Sequence, residues 1–172
     1  SSFFYENLSS LSDNNWELHK KLVNAGVNPN PIAISIRLND INSLKLYYSN
    51  PYFDPNMILE KSFYERTTIS SKNLNLIEYS AFHNSIDCFD FLVQSSASNP
   101  FRNNSIFKFL ICGNSPYLNR HKPSEYRDFL KYAIYYHNCC AIVNIIDDDD
   151  MEYDYDTINY AKLMIQFCEF EG

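Results

Sequence analysis

Glycine is nearly absent, with three in 172 residues. That scarcity excludes Gly-rich phosphate loops, hairpin-dense sandwiches and collagen-like sequence. Positive charge is short as well: 14 Lys and Arg stand against 21 Asp and Glu, for a net charge of -7. A chain without a basic footprint is not expected to bind nucleic acid. No run approaches the roughly 18 apolar residues of a membrane helix, so no membrane partner is expected. Ser1 to Ser10 lacks a basic stretch followed by an apolar core, so no secretory signal is read there. An opening Ser in place of Met is what a fragment or a processed chain would show.

Catalytic and metal motifs are missing too. There is no G-x-S-x-G, no G-x-x-x-x-G-K-[ST] and no G-x-G-x-x-G. The five cysteines, Cys88, Cys112, Cys139, Cys140 and Cys168, form no C-x-x-C pair. Reduced core thiols in an intracellular protein are the expectation. His83, His121 and His137 do not stand beside them at ligand spacing, so no metal is expected. A Cys–His pair of His137 with Cys139 or Cys140 is the nearest thing to a nucleophile and base. His137 falls at a turn between two helices, however, where a structural role outweighs a catalytic one. The expectation is a chain with no enzyme activity and no cofactor.

What is present suits a packed core: 45% hydrophobic and 20% charged residues exclude general disorder. Aromatics are plentiful, with 14 Tyr and 13 Phe, and Asn reaches 21. The length suits one domain or one array of small repeats spanning 1–172. Seven of the 21 acids lie between positions 147 and 156, and the remainder balance the 14 bases. Carboxylates at 150, 152, 154 and 156 resemble a calcium loop, but the Gly and Glu that an EF-hand needs are lacking. A solvated acidic connection is the better reading, open to a basic partner.

Repeats organise the rest. Asn75 begins a helix as its cap, with Glu78 completing a capping box. Leu76 to Ala81 supply a helix with a small-residue face, Asn84-Ser85 breaks it, and Cys88, Phe89, Leu92 and Val93 make a buried stripe on a second helix. The same unit recurs at 32–48, where Ser35 falls on Ser80, Asn39 on Asn84, Leu44 on Phe89 and Tyr47 on Leu92. It recurs at 131–146, where Ala133, His137, Ile142 and Ile145 take those places. A weaker copy runs from Ser105 to Leu118, with Gly113-Asn114 at its turn. Partial copies cap the ends: Asn15 to Asn30 holds only a second helix and its exit, Thr157 to Cys168 only a first helix with Ala161 at the small position. Asn50 to Asn73 is an insertion, with a short helix expected around Met57 to Tyr64.

These phrases point to a family. Leu22-Val-Asn-Ala-Gly-Val-Asn-Pro-Asn30 resembles the ankyrin exit L-L-x-x-G-A-D-x-N. Leu76 to Val93 resembles P-L-H-L-A-A-x-x-G-H-x-E-I-V-x-x-L-L, with Asp87-Cys88-Phe89 standing for E-I-V. The chain is similar, over most of 14–170, to a divergent ankyrin-like group expanded in parasitic flagellate protists. The T-P-L-H tetrapeptide is absent, and the small position is spaced unevenly at 35, 80, 133 and 161. The resemblance implies an all-α solenoid of about four to five irregular helix–turn–helix repeats, in which stacked pairs share one core; the rival reading is an irregular helical bundle.

It also implies a binding face. In ankyrin-like repeats the two residues after the small pair face the partner. Here these are Arg37 and Leu38, Phe82 and His83, Tyr135 and Tyr136, and Leu163 and Met164. Phe82 and Tyr135 have a second reading, as packing against a neighbouring repeat. The implied function is a non-catalytic scaffold that recruits a protein partner in the cytoplasm. The alternative is a structural component of a cytoskeletal or flagellar assembly.

Overall fold

A computed structural model describes the chain at residues 2–65, 73–96, 99–102, 105–119, 129–146 and 159. It divides into two compact units, Ser1–Ala97 and Ser98–Gly172. Among the described residues the structure is mainly helical, with one two-stranded pairing. None of these helices is long and apolar enough to cross a membrane.

The first unit opens with α1 (Ser2–Glu6) and α2 (Leu8–Ala25). The N-terminal copy is therefore longer than expected, because helix precedes its second-helix segment. α2 is interrupted at Asp13, Asn14, Asn15 and Trp16, the last three in the left-handed region. Asn tolerates that region; Trp does so only under strain. Gly26 ends α2 at φ 63, and its N–H bonds to the Leu22 carbonyl. A glycine there terminates the helix without Cβ strain.

Next come two helix hairpins. α3 (Pro31–Arg37) starts on Asn30, whose side chain accepts from the Ile32 N–H, with Pro31 at the first helical position. α4 (Ile41–Tyr48) starts on Asp40, which accepts from the N–H groups of Asn42 and Ser43. Hydrogen bonds from the Ser43 hydroxyl and from these N–H groups hold the Asp40 carboxyl below its ordinary range. α5 (Leu76–Phe82) begins with the expected capping box: Glu78 N–H donates to Asn75 Oδ1 at 2.8 Å, and Asn75 N–H donates to Glu78 Oε2 at 3.2 Å. α6 (Ile86–Ser95) buries Cys88, Phe89 and Leu92 of the expected stripe, while Val93 is only half-buried. α3 packs on α5 and α4 on α6, so first helices meet first helices and second meet second.

The insertion differs from expectation. In place of a helix at 57–64 it forms β1 (Ile58–Leu59), antiparallel to β2 (Leu74–Asn75), with Ile58 opposite Asn75 and Leu59 opposite Leu74. Local side chains compete with a helical backbone here. Asp54 accepts from the Asn56 N–H, Ser62 Oγ from the Tyr64 N–H, and Asn73 from the Lys61 N–H. Asn28 donates to the Glu60 carbonyl at 3.1 Å, fastening the insertion to the exit of α2.

The second unit has a 3₁₀ turn at Pro100–Arg102, then α7 (Ser105–Cys112), a 3₁₀ turn at Pro116–Asn119, α8 (Leu130–Tyr135) and α9 (Cys139–Ile146). α8 packs on both α7 and α9. Ile106, Phe109, Leu110, Ile111, Ala133, Ile142 and Ile145 are buried. The helix expected around Ala161 and the acidic run at 147–156 lie outside the described residues.

Four turns share one geometry. Asn39, Asn84, Asn114 and His137 are left-handed, with φ of 53, 53, 52 and 53. The next N–H reaches back five residues each time: Asp40 to Ser35, Ser85 to Ser80, Ser115 to Leu110 and Asn138 to Ala133, at 2.8 to 3.0 Å. The left-handed residue's own N–H bonds three residues back. This is a Schellman closure, and its final residue doubles as the cap position of the next helical segment. Leu110 stands where the other three have Ser or Ala, which makes this copy faint in sequence.

One cysteine departs from expectation. Cys139 is disulfide-bonded, while Cys88, Cys112 and Cys140 are free. Sequence spacing does not say which sulfurs meet, because that depends on how close the fold brings two Cα atoms.

Candidate functional site

The residues singled out from sequence sit at equivalent places. Arg37, Phe82 and Tyr135 each end the first helix of a hairpin, and Leu38, His83 and Tyr136 are the C-caps. Each pair immediately precedes the left-handed residue. Cys112 and Gly113 hold the same places at the end of α7, and sequence reasoning assigned them no role. Leu163 and Met164 lie outside the described residues.

Exposure separates the six. Leu38 and Tyr135 are 73% and 60% exposed. Phe82 and Tyr136 are half-buried. Phe82 stands edge-on to His83 at 4.9 Å between centroids, and Tyr135 stands edge-on to Tyr136 at 5.0 Å. Leu38 and Tyr135 are therefore the outward members of the set.

Arg37 and His83 turn to a common partner that sequence reasoning missed. Glu65 lies at the end of the insertion's described part, its side chain only 2% exposed. Tyr79 Oη donates to Glu65 Oε1 at 2.6 Å. Arg37 Nη1 donates to the same oxygen at 3.3 Å. His83 Nε2 lies 3.4 Å from it, without hydrogen-bond alignment. Tyr79 is itself stacked obliquely on His83 at 4.4 Å between centroids. Arg37 comes from α3, Tyr79 and His83 from α5, so one carboxylate joins two adjacent hairpins and the insertion.

The electrostatics follow from this packing. Burial opposes the Glu65 charge, but the contacts with His83 and Tyr79 and the Arg37 guanidinium outweigh it and hold the carboxyl below its ordinary range. Burial, then the Glu65 carboxylate, drive the Tyr79 hydroxyl far upward, so it stays a donor. No sequence motif marks Glu65. Its only signal is that of an acid inside an insertion that interrupts the repeats.

The turns carry lateral bonds as well. Asn39 Nδ2 donates to Asp87 Oδ2 at 2.8 Å, and Asn39 Oδ1 accepts the Cys88 N–H at 3.1 Å. In the second unit Asn138 Nδ2 donates to the Ile111 carbonyl at 2.8 Å, and its Oδ1 accepts the Ala141 N–H at 3.0 Å.

Two of the free thiols, Cys88 and Cys112, offer little chemistry. Burial pushes the Cys88 thiol up to about 11 and the Cys112 thiol up to about 12, far from a thiolate at neutral pH. Cys139 is held in its disulfide, and His137 occupies the left-handed turn position. Among the described residues no three His, Cys, Asp or Glu side chains converge as metal ligands. No family model, no curated protein and no solved structure matches the chain.

Proposed function

We propose that the chain is a non-catalytic protein-interaction scaffold built from ankyrin-like helix–turn–helix repeats. The observation that carries this reading is the recurrent turn at Asn39, Asn84, Asn114 and His137, with one φ and one hydrogen-bond pattern. Each such turn gives the end of a first helix an equivalent local setting, and a series of equivalent positions is what a repeat protein offers a partner. Within that series Leu38 and Tyr135 are the outward contact residues. Large apolar and aromatic groups at a solvent face are typical interface anchors. Phe82 and Tyr136 are supporting residues, and Arg37 and His83 are engaged by Glu65. The partner is a protein.

Proximity labelling followed by capture with purified chain tests this. Leu38→Ala and Tyr135→Ala are expected to weaken capture of the recovered partner by about 1–2 kcal/mol, as for interface anchors, while melting temperature stays near wild type. Phe82→Ala is expected to lower melting temperature as well. Unchanged affinity in both outward variants moves the contact surface elsewhere. Recovery only with a salt-resistant filament fraction turns the reading to a cytoskeletal component.

A further inference from the structure

One Glu65 oxygen accepts from Tyr79 and Arg37 and has His83 Nε2 beside it. Only Tyr79, at 2.6 Å, makes a short bond to it. Arg37 and His83 stand back at 3.3 and 3.4 Å. Charge-assisted bonds are usually about 2.7–2.9 Å long. Capacity is left over on the donor side. Arg37 carries a planar fork of N–H groups suited to a two-oxygen acceptor. His83 Nε2 is buried and makes no hydrogen bond. A buried polar atom without a partner is costly, and a native one calls for an explanation.

The origin of the groups matters too. Arg37, Tyr79 and His83 all belong to the repeated hairpins, at or beside the contact positions of α3 and α5. Glu65 belongs to the insertion, the part of the first unit that interrupts the repeats. The donors therefore converge from the helices, and the carboxylate enters the set from outside the repeat pattern.

We infer that Arg37, Tyr79 and His83 form a carboxylate receptor, filled in the free chain by Glu65, and that the partner fitting it is a protein segment presenting an acidic side chain. This rests on the scaffold reading and names the partner's chemistry. A partner carboxylate takes the place of Glu65, facing the Arg37 guanidinium and the unpartnered His83 Nε2. Displacement exchanges one buried carboxylate for another, so the donors are never left without an anion. That matters because an uncompensated buried charge is strongly unfavourable.

The test needs no identified partner. Glu65→Ala removes a fragment the size of acetate and leaves the donors in place. Melting temperature is measured for wild type, E65A and the R37A/E65A double variant, in sodium acetate and in sodium chloride at equal ionic strength. The expected result is a saturable, acetate-specific rise for E65A that recovers most of the loss, with none in the other two. An equal response in all three, or none in E65A, overturns the receptor. Rescue by inorganic phosphate but not acetate overturns the acidic-segment assignment. Should E65A fail to fold, the neutral isostere E65Q serves. A blocked peptide of residues 61–65 is titrated onto E65Q, with Glu or Gln at its last position. The Glu peptide is expected to bind at least about tenfold more tightly, equivalent to about 1.4 kcal/mol; equal affinities overturn the proposal. A failed rescue leaves the Leu38 and Tyr135 capture test standing, and a failed capture leaves the receptor standing.

Discussion

The hairpins of the first unit and those of the second turn in the same way but are fastened sideways differently. In both, a left-handed residue and a five-residue back-bond close the first helix. In the first unit, α3–α4 is tied to α5–α6 by the Asn39 side chain and by the Glu65 carboxylate. Among the described residues of the second, the tie is neutral: the Asn138 amide donates to the Ile111 carbonyl. Closing a hairpin is thus a backbone matter repeated four times, while joining hairpins is a side-chain matter solved anew each time.

Core truncation is the largest disturbance, and it tests whether the units are alike where packing alone counts. Phe89 and Phe109 are both essentially fully buried. Phe89→Ala and Phe109→Ala are each expected to cost about 3–5 kcal/mol, read from urea melts followed by probes in the unit concerned. A cost below about 1 kcal/mol, the scale of an ordinary surface change, would contradict the packing described for that unit.

Acid sharpens the contrast between the ties. The Glu65 carboxyl titrates below its ordinary range in the folded chain. At pH values between the folded and unfolded midpoints, the unfolded chain binds a proton that the folded chain does not. The contribution of Glu65 is therefore complete above the ordinary carboxylate range and is lost as pH falls through the lowered folded value. Stability of wild type relative to E65Q, followed from pH 7 downward, is expected to shrink over that window. A constant difference across it would show that the charge of Glu65 is not what fastens the insertion.

A smaller effect separates two turns of the same backbone geometry. Asn39→Ala removes left-handed tolerance and both bonds to the neighbouring hairpin; Asn84→Ala removes only the tolerance. No side-chain hydrogen bond of Asn84 is found among the described residues. Both should destabilise, with Asn39→Ala worse by about 1–2 kcal/mol, the worth of its two hydrogen bonds. Equal losses would assign the effect of Asn39 wholly to its φ.

The smallest expected effect is a gain. His137→Gly places at φ 53 a residue with no Cβ penalty. A stabilisation of up to about 1 kcal/mol is expected, and a loss would assign the His137 ring a contact of its own. Thermal melts of the purified variant decide it.

Much of this is legible in the sequence, and the legible parts share a cause. The Asn75–Glu78 box, the turn residues Asn39, Asn84, Asn114 and His137, and the Cys88, Phe89 and Leu92 stripe all depend on neighbours within a few positions along the chain. The helix expected at 57–64 fails because Asp54, Ser62 and Asn73 offer the backbone other bonds, a competition that apolar periodicity does not register. The candidate pairs also divide in a way that spacing does not foretell. Arg37 and His83 turn to Glu65, while Leu38 and Tyr135 stay exposed.

By itself the sequence determined where helices start, where they turn and which face is apolar, because capping, left-handed tolerance and side-chain periodicity act over three to five residues. Tertiary structure alone decided that Glu65 meets Arg37, Tyr79 and His83, and that Ile58 pairs with Asn75. These contacts join residues far apart along the chain, or need a close approach that local preference does not encode. They form only when packing of the apolar faces has brought the segments together, because the entropy of closing each loop has to be met by burial elsewhere.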